Sequence, residues 1–315
     1  MNPKQLQPVL CILGPTGVGK TALSIQIAKA LTGEIVSADS MQIYKGMDIG
    51  TAKVSKEEQL IIPHHCIDLV TIHEPYSVAR YQEDARRAIS EIHHRGHLPV
   101  VVGGTGLYIQ AALEPYDFHS ANRDDTLRNQ LLKQYEVIGA NAMWYKLLEV
   151  DKDSAHKLHP NDARRVIRAL EAYQQSGIPL SQAEKRTKEA SPLYRVTYLG
   201  FLRDREEMYE RIDRRVDEMI REGLLQEVHQ LIEDGLQEDS TPGQALGYKE
   251  FFPYFRLERS LEETVEQLKR DTRRYAKRQL TWFRRMRDIY WIHPDEYLRR
   301  EKFEDLMERI KPLIS

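Results

Sequence analysis

The chain has 315 residues and a formal net charge of −2, long enough for more than one domain and too balanced for its total charge to name a partner. Its two cysteines, Cys11 and Cys66, exclude a disulfide framework, and no apolar stretch reaches the length of a membrane span or resembles a signal core. A soluble cytoplasmic protein with no membrane partner is expected.

The first elements alternate. An apolar run at residues 9–13 predicts a strand, and it leads into Gly14, Pro15, Thr16, Gly17, Val18, Gly19, Lys20 and Thr21. Helical apolar spacing follows in Ala22, Leu23, Ile25, Ile27, Ala28 and Leu31. This is the strand–loop–helix context that the G-x-x-x-x-G-K-[ST] pattern requires. Glycines let successive N–H groups turn inward as an anion nest, and the helix start adds its positive dipole end. Lys20 supplies a full charge and Thr21 a hydroxyl able to hold Mg²⁺. The loop is expected to bind a phosphate chain, with ATP the default guess.

Gly33 is read as closing the helix, and residues 34–38 as a second strand that ends on Asp39 and Ser40. Residues 44–53 predict a loop, and residues 77–93 a helix capped by Ser77. The β-branched run at 98–102 suits a strand buried on both faces. It ends in Gly103, Gly104, Thr105 and Gly106, with helical spacing again from Leu107. Such repeats argue for an α/β fold, a P-loop-containing doubly wound parallel sheet. From about residue 114 the pattern is helical, at 124–135, 140–150, 151–158 and 162–175, with Pro160, Gly177 and Pro179 as punctuation. A strand returns at 195–201, and long helices follow at 205–234 and 261–286. The organisation expected is an α/β core at 1–115 and 198–315 with C-terminal helices, interrupted by an all-helical insertion at 116–197.

Ligands of open α/β sheets bind beyond the carboxyl ends of the strands. The glycine-rich loop, Asp39 and Thr105 converge there, which makes Asp39 a candidate general base or metal ligand rather than only a turn residue. The 98–102 strand ends in glycines instead of the Asp that holds Mg²⁺ in many nucleotide triphosphatases. That weakens an ATPase reading and leaves a small-molecule or nucleoside kinase open.

Between Lys269 and Arg287, nine Lys or Arg residues face the single Asp271, a local excess of +8 interleaved with Tyr275, Trp282 and Phe283. Such a stripe points to a nucleic-acid backbone. Arg164, Arg165 and Arg168 form a smaller cluster in the helical block, and Arg211, Arg214 and Arg215 a third. His64 and His65 are adjacent and chelate poorly in an extended chain, while His93, His94 and His97 close a helix, so neither group is assigned a metal.

These residues together resemble the tRNA dimethylallyltransferase family over nearly the whole chain. The likeness rests on the glycine-rich loop, on residues 39–53 from Asp39 through Ser40, Met41, Gln42 and Ile43 to Lys53, and on residues 103–108. It extends to residues 159–162 with 164–168, then to Leu246, Gly247 and Tyr248, and to residues 277–284. Gly17-Val18 stands where relatives usually carry Ala-Ser, and Gln244-Ala245 where Arg-Cys is more usual. No zinc-finger extension of the eukaryotic kind is seen, as expected of a bacterial enzyme.

The resemblance implies that the loop holds the pyrophosphate of dimethylallyl diphosphate, with Mg²⁺ on Thr21. It implies transfer of the dimethylallyl group to N6 of adenosine 37 in tRNAs reading codons that begin with U. Asp39 would be the general base; Lys20, Thr21 and Arg215 would stabilise the leaving group, with Thr105 near the reacting atoms. The tRNA anticodon stem-loop would meet Asp39, Ser40, Met41, Gln42, Arg164, Arg165, Val166, Ile167, Arg168, Gly247, Tyr248, Lys277, Arg278, Gln279, Trp282 and Arg284. A monomer is expected to suffice.

Overall fold

The computed structural model describes residues 6–116 and 125–314. Six strands, β1 Pro8–Leu13, β2 Gly33–Ala38, β3 His64–His65, β4 Leu98–Gly103, β5 Arg195–Phe201 and β6 Ile289–Ile292, form one sheet in the order β3-β2-β4-β1-β5-β6. Every pairing is parallel. The mixed α/β architecture expected from alternation is therefore present, with β1 and β4 central and buried as their unbroken apolar runs require.

The two faces of the sheet are covered differently. Leu10, Ile12, Ile35, Val100 and Leu199 pack with Leu23 and Ile27 of α1 (Lys20–Ala30) and with Leu306, Met307 and Ile310 of α14 (Arg300–Ile314). The alternate residues of β2 and β4 meet α3 (Val78–His94), whose Tyr81, Ala85, Ile89 and Ile92 repeat at helical spacing. Ser77 caps α3, its hydroxyl accepting from the Arg80 N–H. Behind α3, Glu34 accepts from Arg95 at 2.9 and 2.8 Å and sits 2.7 Å from both His65 and His97. These contacts, Arg95 foremost, pull its carboxyl down to about 2.

The described chain divides into two compact units, 114–193 and the remainder. The first contains α5 (Asp125–Ile138), α6 (Ala140–Val150), α7 (Lys152–Lys157), α8 (Ala163–Ser176) and α9 (Leu180–Glu189) around a core of Leu131, Met143, Leu147, Val166, Ile167 and Leu170. Asp151 is its polar anchor: buried, it accepts from the N–H and hydroxyl groups of both Ser154 and Ser181. The expected start of α5 at residue 124 lies outside the described residues.

Several local readings differ from what forms. The helix expected over 205–234 is two, α10 (Arg205–Glu222) and α11 (Leu224–Glu233), because Gly223 at φ 106° is left-handed and ends the first. Gly33 does not terminate α1; Thr32 makes that turn at φ 50°, and Gly33 already belongs to β2, where a Cβ would sit 2.8 Å from the Leu98 carbonyl. The last long helix, α13 (Leu261–Phe283), stops three residues before the expected end, and α2 (Lys56–Ile61), β3, α9, β6 and α14 had no sequence assignment. The remaining helices are α4 (Gly106–Leu113) and the short α12 (Phe252–Phe255). No described helix is long and apolar enough to cross a membrane.

Candidate active site

Three neighbouring strands end in line: Ala38 pairs with Gly103, and Gly103 with Leu13. The segments that follow them, Asp39-Ser40, Gly104-Thr105 and the glycine-rich loop, therefore meet at one edge. A Cβ on Gly103 would lie 2.2 Å from the Ala38 carbonyl, so only glycine lets these strand ends close.

The loop is built to present N–H groups. Gly17 and Gly19 take φ 79° and 91°, and α1 begins at Lys20 with no side chain capping its first turn and no acidic residue in it. Its carbonyls are held away from that turn. Lys20 Nζ donates to the carbonyls of Gly14 and Pro15 at 2.9 and 2.8 Å, and Arg211 Nε to that of Gly17 at 3.2 Å. Arg203 Nε donates to the Val18 carbonyl at 2.8 Å. Because N–H and C=O of one peptide point in opposite directions, fixing the Val18 carbonyl aims the Gly19 N–H; the Gly14 peptide has no N–H, its nitrogen being that of Pro15, and the Thr16 N–H is taken by Gln279. Arg203 is buried and paired with Glu207 and Asp295, and His293 backs Glu207 at 3.0 Å. Sequence reasoning missed Arg203. Its place two residues after β5, at the same carboxyl edge, was the available signal.

Asp39 faces this loop. Burial pushes its carboxyl up, opposed by the Met41 N–H at 2.9 Å and by the charge of Lys20. Burial likewise pulls the Lys20 ammonium down to about 8, with Asp39 acting against the shift. Thr105 ties the third strand end in: its hydroxyl accepts from the Ser40 N–H at 3.3 Å, and its own N–H donates to Ala38 at 3.2 Å. The Tyr275 hydroxyl lies beside Thr105; burial and then Asp39 push it up to about 12. Lys20, Thr21, Asp39 and Gln42 line a pocket of about 70 Å³ together with Ser37, His64 and the apolar Ile35, Val54 and Val102. On the opposite side of the loop, Thr16, Gly17, Arg215 and Gly247 line a second of about 60 Å³. Arg215 is exposed there, without an ion pair among the described residues.

Not every expected tRNA contact is at a surface. Val166 and Ile167 are buried in the helical core, so their side chains hold α8 in place; Arg165 and Arg168 pair with Asp162 and Glu171, and Arg164 is exposed. Tyr248 is fully buried and donates to Glu227 at 2.6 Å. Glu227, unforeseen, also accepts from the N–H groups of Asp48, Ile49 and Gly50, fixing the 44–53 loop. Gln42 spans from Ser37 to the Thr51 and Ala52 carbonyls. Gln279 is buried as well.

Three of the nine cations in the +8 stripe are neutralised. Lys269 pairs with Asp217 and Glu266, Arg273 with Asp213 and Arg274 with Asp271. Lys277, Arg278, Arg284, Arg285 and Arg287 are exposed and make no ion pair among the described residues, and Trp282 is exposed beside them. The usable positive face is the end of the stripe, from Lys277 to Arg287.

The family model described as IPP transferase matches residues 42–286. The chain belongs to the IPP transferase family. A tRNA dimethylallyltransferase of Carboxydothermus hydrogenoformans is 47% identical over 304 residues, covering 96% of each chain. One of Bacillus cereus is 51% identical over 93% of this chain and 92% of its own. Among solved structures, a tRNA isopentenylpyrophosphate transferase of Bacillus halodurans superposes with a TM-score of 0.72 at 40% identity, over 98% of this chain and 97% of that one. A eukaryotic dimethylallyltransferase described as acting on tRNA gives 0.78 at 37% identity, over 91% of this chain and 73% of its own.

Proposed function

We propose that this chain transfers the dimethylallyl group of dimethylallyl diphosphate to N6 of adenosine 37 in the anticodon loop of tRNAs reading codons that begin with U. The observation that carries it is the meeting of Asp39, Lys20 and the glycine-rich loop at one strand edge, in a chain of this family. The reaction breaks the bond between C1 of the allyl group and the diphosphate oxygen and forms one between C1 and N6; the N6 proton leaves to a base.

Asp39 is that base. Its partly buried site raises its proton affinity, which suits it to accept from a weakly acidic amine. Lys20 and the loop N–H groups hold the diphosphate, and Arg215, beside Thr16 and Gly17, meets charge developing on it. Thr21, exposed at the mouth of the loop, would hold Mg²⁺, which would supply countercharge to the leaving group. Thr105 holds the Ser40 end of the Asp39 turn. The base must leave the anticodon-loop stack, as base-modifying chemistry requires. Lys277, Arg278, Trp282 and Arg284 receive the RNA, with Gly247 and Ser40 near the site and the helical unit, through Arg164, Arg165 and Arg168, on the stem-loop. On this reading the protein acts as a monomer in the cytoplasm.

The test is incubation of the protein with unmodified tRNA, Mg²⁺ and dimethylallyl diphosphate, followed by digestion and mass analysis of the nucleosides. Isopentenyl adenosine is expected, and without need of ATP. Its absence where a known transferase succeeds refutes the reading.

A further inference from the structure

Helix α13 has two faces with different tasks. Lys277, Arg278, Thr281, Trp282 and Arg284 are exposed, whereas Ala276, Gln279 and Phe283, three and four apart, turn inward. Gln279 Oε1 accepts from the Thr16 N–H at 2.9 Å, and its Nε2 donates to the Gly104 carbonyl at 2.9 Å. One amide thus joins the glycine-rich loop to the turn that carries Thr105. The seat is made to fit: a Cβ on Gly104 would lie 2.4 Å from Gln279 Nε2, and one on Gly106 would lie 2.3 Å from the Trp282 ring. The helix therefore grips the residues on both sides of Thr105.

A group serving a peptide N–H at one end and a carbonyl at the other must both accept and donate, which the uncharged amide does and neither Glu⁻ nor Met can. Thr16 directly precedes Gly17 of the loop, and Thr105 accepts from Ser40 beside Asp39. We infer that Gln279 is a positioning residue that sets the separation between the seat of the leaving diphosphate and the seat of the attacking base. This rests on the transferase reading above. It replaces the expected RNA contact of this residue with an internal one, because both ends of the amide are already engaged with backbone. A misplacement of about 1 Å between reacting groups costs on the order of 10²-fold in rate.

The experiment compares wild type with Gln279→Met and Gln279→Glu, using single-turnover rates at saturating tRNA and dimethylallyl diphosphate and separate tRNA binding isotherms. Gln279→Met is expected to lose on the order of 10²-fold in rate with tRNA affinity within about threefold. Gln279→Glu keeps the acceptor for Thr16 but sets a carboxylate against the Gly104 carbonyl; its protonated form can donate again. Its rate relative to wild type should therefore rise as pH is lowered from about 8 to about 6, a recovery that a merely structural loss does not show and that remains readable if the Met variant fails to fold. A wild-type rate in the Met variant, equal losses of rate and tRNA affinity, or a pH-independent ratio for the Glu variant overturns the assignment. Absence of product from wild type itself brings down the transferase reading, and this one with it.

Discussion

Replacing Asp39 by Asn isolates the base. The amide retains an oxygen to accept the Met41 N–H, so the 2.9 Å bond that shapes the turn survives and the fold should be unaffected. What disappears is the proton acceptor and a negative charge beside Lys20. Removing a positioned general base costs about 10²–10⁴-fold, or about 3–5 kcal/mol of barrier. The charge change has a second effect. Lys20 is drawn down to about 8 by burial and held from falling further by Asp39. Without that carboxylate its ammonium should lose its proton at lower pH. For wild type, kcat/KM should rise through the upward-shifted titration of Asp39 and fall as Lys20 deprotonates above about 8. In Asp39→Asn the rising limb should vanish and the falling limb should begin earlier. The assay is kcat/KM for dimethylallyl diphosphate across pH, with tRNA affinity measured in parallel. A rising limb that persists in the variant, or a tRNA affinity that falls as far as turnover, would refute Asp39 as the base.

Other consequences can be checked independently. Arg278→Ala should weaken tRNA binding and reduce the slope of log affinity against log salt by about 0.7–0.9, the increment for one lost phosphate contact; an unchanged slope removes Arg278 from the backbone contacts. Ile167→Ala should destabilise the helical unit by about 2–5 kcal/mol, seen as a lower urea midpoint, because the side chain is buried rather than offered to a partner. Glu34→Gln should lower the urea midpoint at neutral pH, because it removes the buried carboxylate that gathers Arg95, His65 and His97. Because the Glu34 carboxyl is held below its ordinary value, its stabilisation is complete above about 4.5 and is lost as pH falls toward about 2. The difference in urea midpoint between wild type and Glu34→Gln should shrink over that interval.

Much of the site was legible because its chemistry is local in sequence. The glycine-rich loop, Asp39 after β2 and Thr105 after β4 each follow an apolar run by a fixed few residues, and parallel register brings them together. What escaped depends on distant partners. Arg203 gains its role from Asp295, 92 residues away, and Val18, 185 away, which no window of sequence contains. Gln279 sits inside a motif whose other members are mostly basic or exposed, so the motif suggested a common outward role; only the helix face separates it, and the burial of Tyr248 depends on the distant Glu227. β3 is a two-residue edge strand of histidines and β6, though apolar, is an edge strand of four residues, while Gly223 breaks a helix whose charge spacing runs on through it.

Two stretches of backbone N–H groups described above meet different fates. One opens at the start of α1; the other, made by Asp48, Ile49 and Gly50, is already filled by the carboxylate of Glu227. An anion arriving from solution finds the second already taken, since the chain has supplied its own tenant for it; the 44–53 loop is thereby held by an internal carboxylate and needs no ligand to keep its shape.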